Sequence, residues 1–311
     1  DIKVLCGDQV YLDQPSLEYQ THTHDAADLQ RRFLDTYLRT WSPGAPSGGL
    51  AEILRDGANF FASDDHEFWN NAPEFATLIR DSHSAAGRQQ WLAAARRVYD
   101  VFQSDAAVTI FDVGALSFCV LDTRVDRGEG LSQFMTSANL QRVQGWIAAL
   151  RGPGVLVLGQ PLFCKPSGTV VGTFVDFSLA DYGQYGGLAA MVNQTAHDLV
   201  VLTGDVHFGR VAECRLLNGQ RVVEVISSPL ALVSELVGRA FEEAPPRFPA
   251  RAIPGVPSAP VTTRAFRETR DHFLTLEFGA DGHQVQLVVK NWVVGAPTGQ
   301  ASAVVYSTLL A

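Results

Sequence analysis

Short apolar runs alternate with amphipathic stretches along the first two thirds of the chain. The runs Ile2–Cys6, 155–158 and Leu199–Thr203 are almost wholly apolar, which is typical of strands buried on both faces of a sheet. Four stretches place apolar residues three and four positions apart, and this spacing predicts helices at 28–41, 87–103, 137–150 and 188–197. Buried strands that alternate with helices predict an α/β fold.

The pattern changes after residue 210, where strand-like segments follow one another with little helix between them. These segments lie at 210–217, Arg221–Ile226, 273–278 and 284–292. Asn218-Gly219 and Asp281-Gly282 favour tight hairpin turns. An earlier hairpin is predicted at 108–122. The last third of the chain is therefore expected to consist mainly of antiparallel strands.

Composition narrows the possible functions. The chain has 311 residues, of which 46% are hydrophobic, and a formal net charge of −9. This length suits one large domain or two smaller ones. We expect no surface that binds a nucleic-acid backbone, because no run of Lys and Arg is present, and no transmembrane segment, because no apolar run is long enough. The compartment and the oligomeric state stay open, since the chain begins at Asp1 and no signal peptide is visible.

Acids and histidines follow several of the apolar or aromatic runs. Asp8 comes directly after the first run, and Asp205 and His207 follow the last. The stretch FFASDDHEFWNN places Asp65 and His66 after two aromatic residues. In open α/β sheets, ligands bind at the carboxyl ends of the strands, and carboxylate and imidazole groups bind divalent and trivalent cations. Two neighbouring cations hold a phosphoryl group and lower the pKa of a bound water.

Each group also has a plainer interpretation. Asp8 alone is typical of an exposed turn, and the acids of DDHE suit a helix start, where Asp64 is the expected cap and Glu67 a supporting residue. Asp205 and His207 are harder to explain in this way. Strand alternation predicts both side chains on one face, directly after a buried run where unpaired charge is costly.

The motifs GDQVY, DDHE with a following NN, LDTR and LTGDVH occur in this order between about residues 6 and 228. This order resembles the PhoD-like alkaline phosphatases, which belong to the calcineurin-like metallophosphoesterases. The resemblance implies an α/β/β/α sandwich, in which two mixed β-sheets are flanked by helices. It also implies hydrolysis of phosphate mono- or diesters by a metal-bound hydroxide. The implied cofactor is a dinuclear metal centre. The family resemblance most suggests Fe with Ca, and Zn or Mn are the other choices.

The resemblance also assigns roles to individual residues. The implied metal ligands are Asp8, Tyr11, Asp65, Asp205 and His207. Asp8 is expected to bridge two ions, and Tyr11 to bind a ferric ion as phenolate. His66 is expected to protonate the leaving group.

Four further residues are candidates for contact with the substrate. Asn70 and Asn71 follow DDHE and either contact phosphate or close a turn. Arg124 of LDTR either clamps phosphate or forms a structural salt bridge. Gln160 stands where the superfamily usually has a histidine ligand, and we expect it to contact water or phosphate.

The sequence departs from the superfamily pattern at its start. The superfamily carries its first metal ligand on a strand that precedes the GD motif, and here that motif lies on the first strand. We therefore expect residues 1–311 to form one metallophosphoesterase domain that lacks its first strand or an upstream N-terminal region. Three functions stay open: hydrolysis of a small phosphate ester or phosphodiester, metal-dependent hydrolysis of another ester, and a metal-poor binding module without catalysis.

Overall fold

The computed structural model describes residues 1–42, 49–168, 176–230, 243–296 and 302–311. The helices in these ranges are α1 (Ser16–Thr21), α2 (Ala26–Trp41), α3 (Leu50–Leu54), α4 (Ala85–Phe102), α5 (Ser137–Ala149) and α6 (Tyr185–Asn193). The strands are β1 (Ile2–Cys6), β2 (Ala58–Ala62), β3 (Val108–Val113), β4 (Leu116–Leu121), β5 (Gly154–Leu158), β6 (Leu199–Thr203), β7 (Gly209–Arg215), β8 (Arg221–Ile226), β9 (Arg247–Phe248), β10 (Ala259–Glu268), β11 (His272–Asp281), β12 (Gln284–Val293) and β13 (Ser302–Leu310). No helix within these ranges is long and apolar enough to cross a membrane.

An eight-stranded mixed sheet forms the centre of the fold, with the strand order β3-β4-β5-β6-β8-β7-β10-β9. Strands β4, β5, β6 and β8 run parallel, whereas β3, β7, β10 and β9 pair antiparallel. All five residues of β5 are buried, as its continuous apolar run predicted. Helices α5 and α6 cover one face of the sheet, and they contribute Trp146, Ile147 and Leu188 to the core on that side.

A second layer of strands covers the opposite face of this sheet. It consists of the parallel pair β1-β2 and the antiparallel sheet β11-β12-β13. Leu287 and Leu310 of the antiparallel sheet share a core with Val200 and Val223 of the large sheet. Helices α2 and α4 lie outside the parallel pair, where Trp41 packs on Phe61 with ring centroids 6.3 Å apart. The layers therefore follow the order helix, sheet, sheet, helix, and the predicted α/β/β/α fold class is confirmed.

Helices α2 and α4 begin at side-chain caps and pack through aromatic residues. The Asp25 side chain accepts from the backbone N–H of Asp28, and Ser84 caps α4 in the same way. Phe33 packs on Trp91, and Tyr37 stacks on Phe102 with ring centroids 5.0 Å apart in both pairs. These contacts fix the outer helical layer against the loop that follows β2.

Some elements differ from those that the sequence predicted. The helix expected at 188–197 begins at Tyr185 and ends at Asn193. The Thr195 hydroxyl donates to the carbonyl of His197, and this local hydrogen bond replaces a further helical turn. Strand β10 was not predicted, and it pairs with β7, which lies far away in sequence. Strand β13 was also not predicted, although it pairs with the neighbouring strand β12.

The ends of β1 and β2 closely approach the ends of β5 and β6 at one edge of the two sheets. A Cβ atom on Gly204, which follows β6, would overlap the carbonyl oxygen of Cys6 at the end of β1. A Cβ atom on Gly159, which follows β5, would overlap the carbonyl oxygen of Ser63. Both obstacles are backbone atoms, which cannot swing away as a flexible side chain can. Glycine at these two positions therefore sets how closely the polar residues after each strand approach one another.

Replacing Gly204 by Ala should force the ends of β1 and β6 apart. We expect the free energy of unfolding to fall by about 1–3 kcal/mol, the usual cost of overpacking. The matched control is Gly145→Ala within α5, where a Cβ atom meets nothing within 4 Å. This substitution should raise the free energy of unfolding by roughly 0.5–1 kcal/mol. Urea unfolding measures both, and a Gly204→Ala chain as stable as the parent would contradict the close approach.

Candidate metal centre

Asp8, Asp65 and His66 form the first group of potential metal ligands. One ligand atom from each lies within 4.8 Å of the others. Asp8 follows β1, and Asp65 and His66 begin the 3₁₀ turn Asp65–Glu67 that follows β2. The group forms because β1 and β2 are parallel neighbours, so that their carboxyl ends meet. The backbone N–H of His66 lies 3.4 Å from Asp8 Oδ1, which joins the two strand ends directly.

Asp64, Asp176 and Asp205 form a second group, again with ligand atoms within 4.8 Å of one another. Asp64 follows β2, Asp205 follows β6, and Asp176 lies shortly before the 3₁₀ turn Leu179–Asp181. The sequence favoured Asp64 as a helix cap, and no motif pointed to Asp176. Asp64 does cap the turn that follows it, yet its Oδ2 is buried and has no hydrogen-bond partner in the described ranges.

The His66 ring is held between two neighbours from the segment after β1. Its Nδ1 donates to Oδ1 of Asp13 at 2.8 Å, and the Tyr11 ring packs on it with centroids 4.3 Å apart. Asp13 is buried and also accepts from the backbone N–H of Asn70 at 2.9 Å. These contacts fix the ring orientation and leave Nε2 outside the Asp13 contact. Asp13 is separated from His66 by 53 positions, so no local motif predicts this contact.

Tyr11 and Glu67 both form hydrogen bonds to Asp8 of the first group. The Tyr11 hydroxyl donates to Asp8 Oδ2 at 3.3 Å, so the structure brings this predicted ligand to the group. Glu67 accepts the backbone N–H groups of Asp8, Gln9 and Asp64 at 3.0, 2.6 and 2.9 Å. It ties the ends of β1 and β2 together, which is the supporting role that the sequence suggested.

Arg124 is buried among acids, and its guanidinium nitrogens donate to protein partners. It donates to Asp64 Oδ1 through Nε at 3.0 Å and to Asp176 Oδ2 through Nη2 at 2.5 Å. Nη1 donates to the carbonyl of Ala72 at 2.7 Å, and the residue is only 3% exposed. Of the two interpretations of Arg124, the geometry favours the structural salt bridge over the phosphate clamp.

Gln160 and the two asparagines surround the acidic groups. Gln160 donates to Asp176 at 2.5 Å and lies 3.4 Å from Asp205 Oδ2, so it packs against the second group. The backbone N–H of Asn71 donates to Asp65 Oδ2 at 2.5 Å. Both polar side-chain atoms of Asn71 are buried without a partner in the described part of the chain, whereas Asn70 is only half-buried. Asn71 is therefore the asparagine with unused hydrogen-bonding capacity beside the acids.

His207 stays outside both groups, as far as the described residues extend. The alternation argument for Asp205 and His207 was wrong, because β6 ends at Thr203 and both residues have positive φ, 69° and 58°. The His207 N–H donates to the Ser228 hydroxyl at 3.2 Å. Burial lowers the pKa of its imidazole, and the nearby His66 lowers it further.

Left-handed backbone is concentrated at these residues. Within the described ranges, five non-glycine residues have positive φ, and four of them are Asp8, Asn71, Asp205 and His207. Such conformations cost on the order of 1–3 kcal/mol each and cluster at functional sites. The fold thus holds these four side chains in place against the local preference of the backbone.

Burial and mutual repulsion shift the pKa values of several of these acids upward. Burial raises the pKa of Asp8 and of Asp205 well above the usual value, and neighbouring acids add to this effect. Burial also raises the pKa of Asp65 to about 7. Asp64 differs, because Arg124 and Arg127 overcome the effect of burial and lower its pKa. Both groups are rich in carboxylate oxygens, and Asp64 Oδ2 has no partner in the described ranges. Such groups fit one or more cations, whose positive charge would stabilise the ionised carboxylates.

Comparison with known proteins gives relatives at the level of structure. No family model and no curated protein matches the sequence. The structure of PhoD matches with a TM-score of 0.61 and 16% identity, covering 99% of this chain and 64% of that one. The purple acid phosphatase PPD1 of yellow lupin (Lupinus luteus) matches with a TM-score of 0.47 and 14% identity, covering 97% of this chain and 46% of that one. The chain therefore shares the metallophosphoesterase-type fold of PhoD, as the order of its motifs implied.

Proposed function

We propose that this protein hydrolyses small phosphate mono- or diesters at a dinuclear metal centre. The observation that carries the proposal is the pair of three-residue ligand groups that meet where β1, β2 and β6 end. Two adjacent groups suit two cations, whereas a structural site would need only one closed set of ligands. The shared fold with PhoD supports the same reaction class.

The first cation would be held by Asp8 and Asp65, with the Tyr11 hydroxyl beside Asp8. The second would be held by Asp64, Asp176 and Asp205. Fe with Ca, Zn or Mn are the candidate metals, since carboxylate, phenolate and imidazole groups accept all of them. A bound pair supplies an acidified water and neutralises phosphate oxygens. His207 is a candidate ligand only if its ring moves toward the acids.

The protein's own residues would position the ester and move the proton. The unused amide of Asn71 suits a phosphate oxygen, because it donates without competing for a metal. His66 would donate a proton to the departing oxygen through Nε2. Asp13 would act as a positioning residue, because its carboxylate binds Nδ1–H and thereby fixes the tautomer and the ring direction.

Replacing Asp8 or Asp205 by Asn tests the proposal directly. Each change removes one ligand charge, and we expect kcat/KM for an aryl phosphate to fall at least about 100-fold, together with the bound metal. Asp112→Asn on the exposed side of β3 is the matched control and should change neither. Elemental analysis is paired with assays on an aryl phosphate and a bis-aryl phosphate, which also separates monoester from diester preference.

Normal turnover in either variant would contradict the assignment of the ligands. Less than one equivalent of any metal, with no turnover after reconstitution, would instead support the metal-poor binding module. Turnover of a carboxylic ester but of no phosphate ester would support the third function considered from the sequence.

Replacing Asp13 by Asn should separate positioning from folding. We expect kcat to fall about 100-fold for an alkyl phosphate, whose leaving group needs a proton, and much less for a nitrophenyl phosphate. His66→Gln should show the same dependence on the leaving group, and the double variant should lose little more than either single one. An equal loss on both substrates would mean that Asp13 only stabilises the fold.

A further inference from the structure

Asp122 is a buried carboxylate to which the proposed function gives no role. It follows β4 and belongs to the LDTR motif. It accepts the backbone N–H of Ser63 at 3.0 Å, the Ser63 hydroxyl at 2.8 Å and the backbone N–H of Arg124 at 2.9 Å. Ser63 directly precedes Asp64, whose carboxylate binds the Arg124 side chain. Asp122 therefore holds the backbone beside both members of this ion pair.

Glu67 holds the first ligand group in a similar way. Its carboxylate accepts the backbone N–H groups of Asp8 and Asp64, which lie just after β1 and β2. Neither Glu67 nor Asp122 belongs to the two ligand groups, yet each is buried and accepts backbone amides beside the ligands. The ligand side chains extend from backbone that these two carboxylates fix, so their positions help to determine where the ligand atoms lie.

Helix α4 contacts both carboxylates through two side chains that lie one turn apart. The Tyr99 hydroxyl donates to Asp122 Oδ2 at 2.6 Å. The side-chain amide of Gln103, the residue that caps the end of the helix, donates to Glu67 Oε1 at 3.4 Å. Side chains four positions apart share one face of a helix. The carboxyl end of α4 therefore supports the two carboxylates together.

The Gln103 amide is oriented by two further contacts. Its nitrogen donates to Gln9 Oε1 at 2.6 Å, and its oxygen accepts from the Tyr37 hydroxyl of α2. Gln9 in turn donates its backbone N–H to Glu67 at 2.6 Å. A path of hydrogen bonds therefore runs from the two outer helices to the carboxylate that ties the end of β1 to the end of β2.

We propose that Tyr99 and Gln103 are positioning residues of the metal centre, through which α4 sets the affinity of the ligand groups for metal. Tyr99 acts through Asp122 on the segment that carries Asp64. Gln103 acts through Glu67 on the ends of both β1 and β2. The inference rests on the metal centre of the proposed function, although neither residue belongs to a ligand group. Partners that orient metal ligands from outside the ligand set commonly change metal affinity about 10- to 100-fold.

Calorimetric titration of the chelated full chain with Mn²⁺ tests the proposal without relying on hydrolysis. We expect Tyr99→Phe to weaken Mn²⁺ binding about 10-fold or more, and Gln103→Ala roughly 3- to 10-fold, since its contact with Glu67 is longer. The matched control is Tyr306→Phe, which removes another tyrosine–carboxylate hydrogen bond, 2.7 Å long and directed to Glu213 of β7. This control should bind Mn²⁺ as the parent does. An equal loss of affinity in Tyr306→Phe would overturn the proposal, because general destabilisation would then explain the effect.

Hydrogen exchange of the chelated chain tests the positioning by itself. Tyr99→Phe should speed exchange of the Ser63 amide, because this amide donates to the carboxylate that has lost its tyrosine partner. Gln103→Ala should speed exchange of the Asp8 amide for the same reason. Tyr306→Phe should leave both exchange rates unchanged.

Gln103→Ala keeps the proposal falsifiable if Tyr99→Phe fails to fold, because Gln103 is only half-buried and lies at the end of the helix. Unchanged exchange rates, or an unchanged affinity for Mn²⁺, in the folded variants would overturn the proposal. The two failures are distinguishable. Absence of Mn²⁺ binding to the parent would contradict the proposed metal centre, whereas failure of this inference alone would leave binding intact and equal in parent and variants.

Discussion

The close approach of the two sheet layers at their carboxyl edge is the constraint on which the site depends. Gly204 and Gly159 allow the backbones after β6 and β5 to touch those after β1 and β2. Four polar strand ends then share one buried space, and Asp8 and Asp205 adopt left-handed backbone there. Packing of apolar side chains on both faces of the large sheet stabilises an arrangement that the local chain would not adopt alone.

Charge balance follows from that geometry. Arg124 compensates Asp64 and Asp176, and Asp13 pairs with His66 of the first group. Burial raises the pKa of Asp8 and of Asp205 well above the usual value, and neighbouring acids raise both further. A fold that buries acids without matching bases is poised to exchange protons for metal ions.

The sequence predicted what depends on local pattern. Continuous apolar runs located β1, β5 and β6, and motif order implied both the layered fold and the acids at the strand ends. Contacts between segments that are distant in sequence could not be predicted from local pattern. Asp176 follows no strand or helical spacing, and Asp13 gains its role only when the segment after β1 folds against His66. His207 lies outside both groups, because a left-handed turn after β6 breaks the alternation that a regular strand would continue.

The most direct measurement of the central claim is anomalous diffraction from crystals of the chain soaked in Mn²⁺ or Zn²⁺. Two peaks are predicted at the carboxyl ends of the strands. One should lie at coordination distance from Asp8 and Asp65, and the other from Asp64, Asp176 and Asp205. No peak at these carboxylates under saturating metal, or peaks only elsewhere on the surface, would contradict the account.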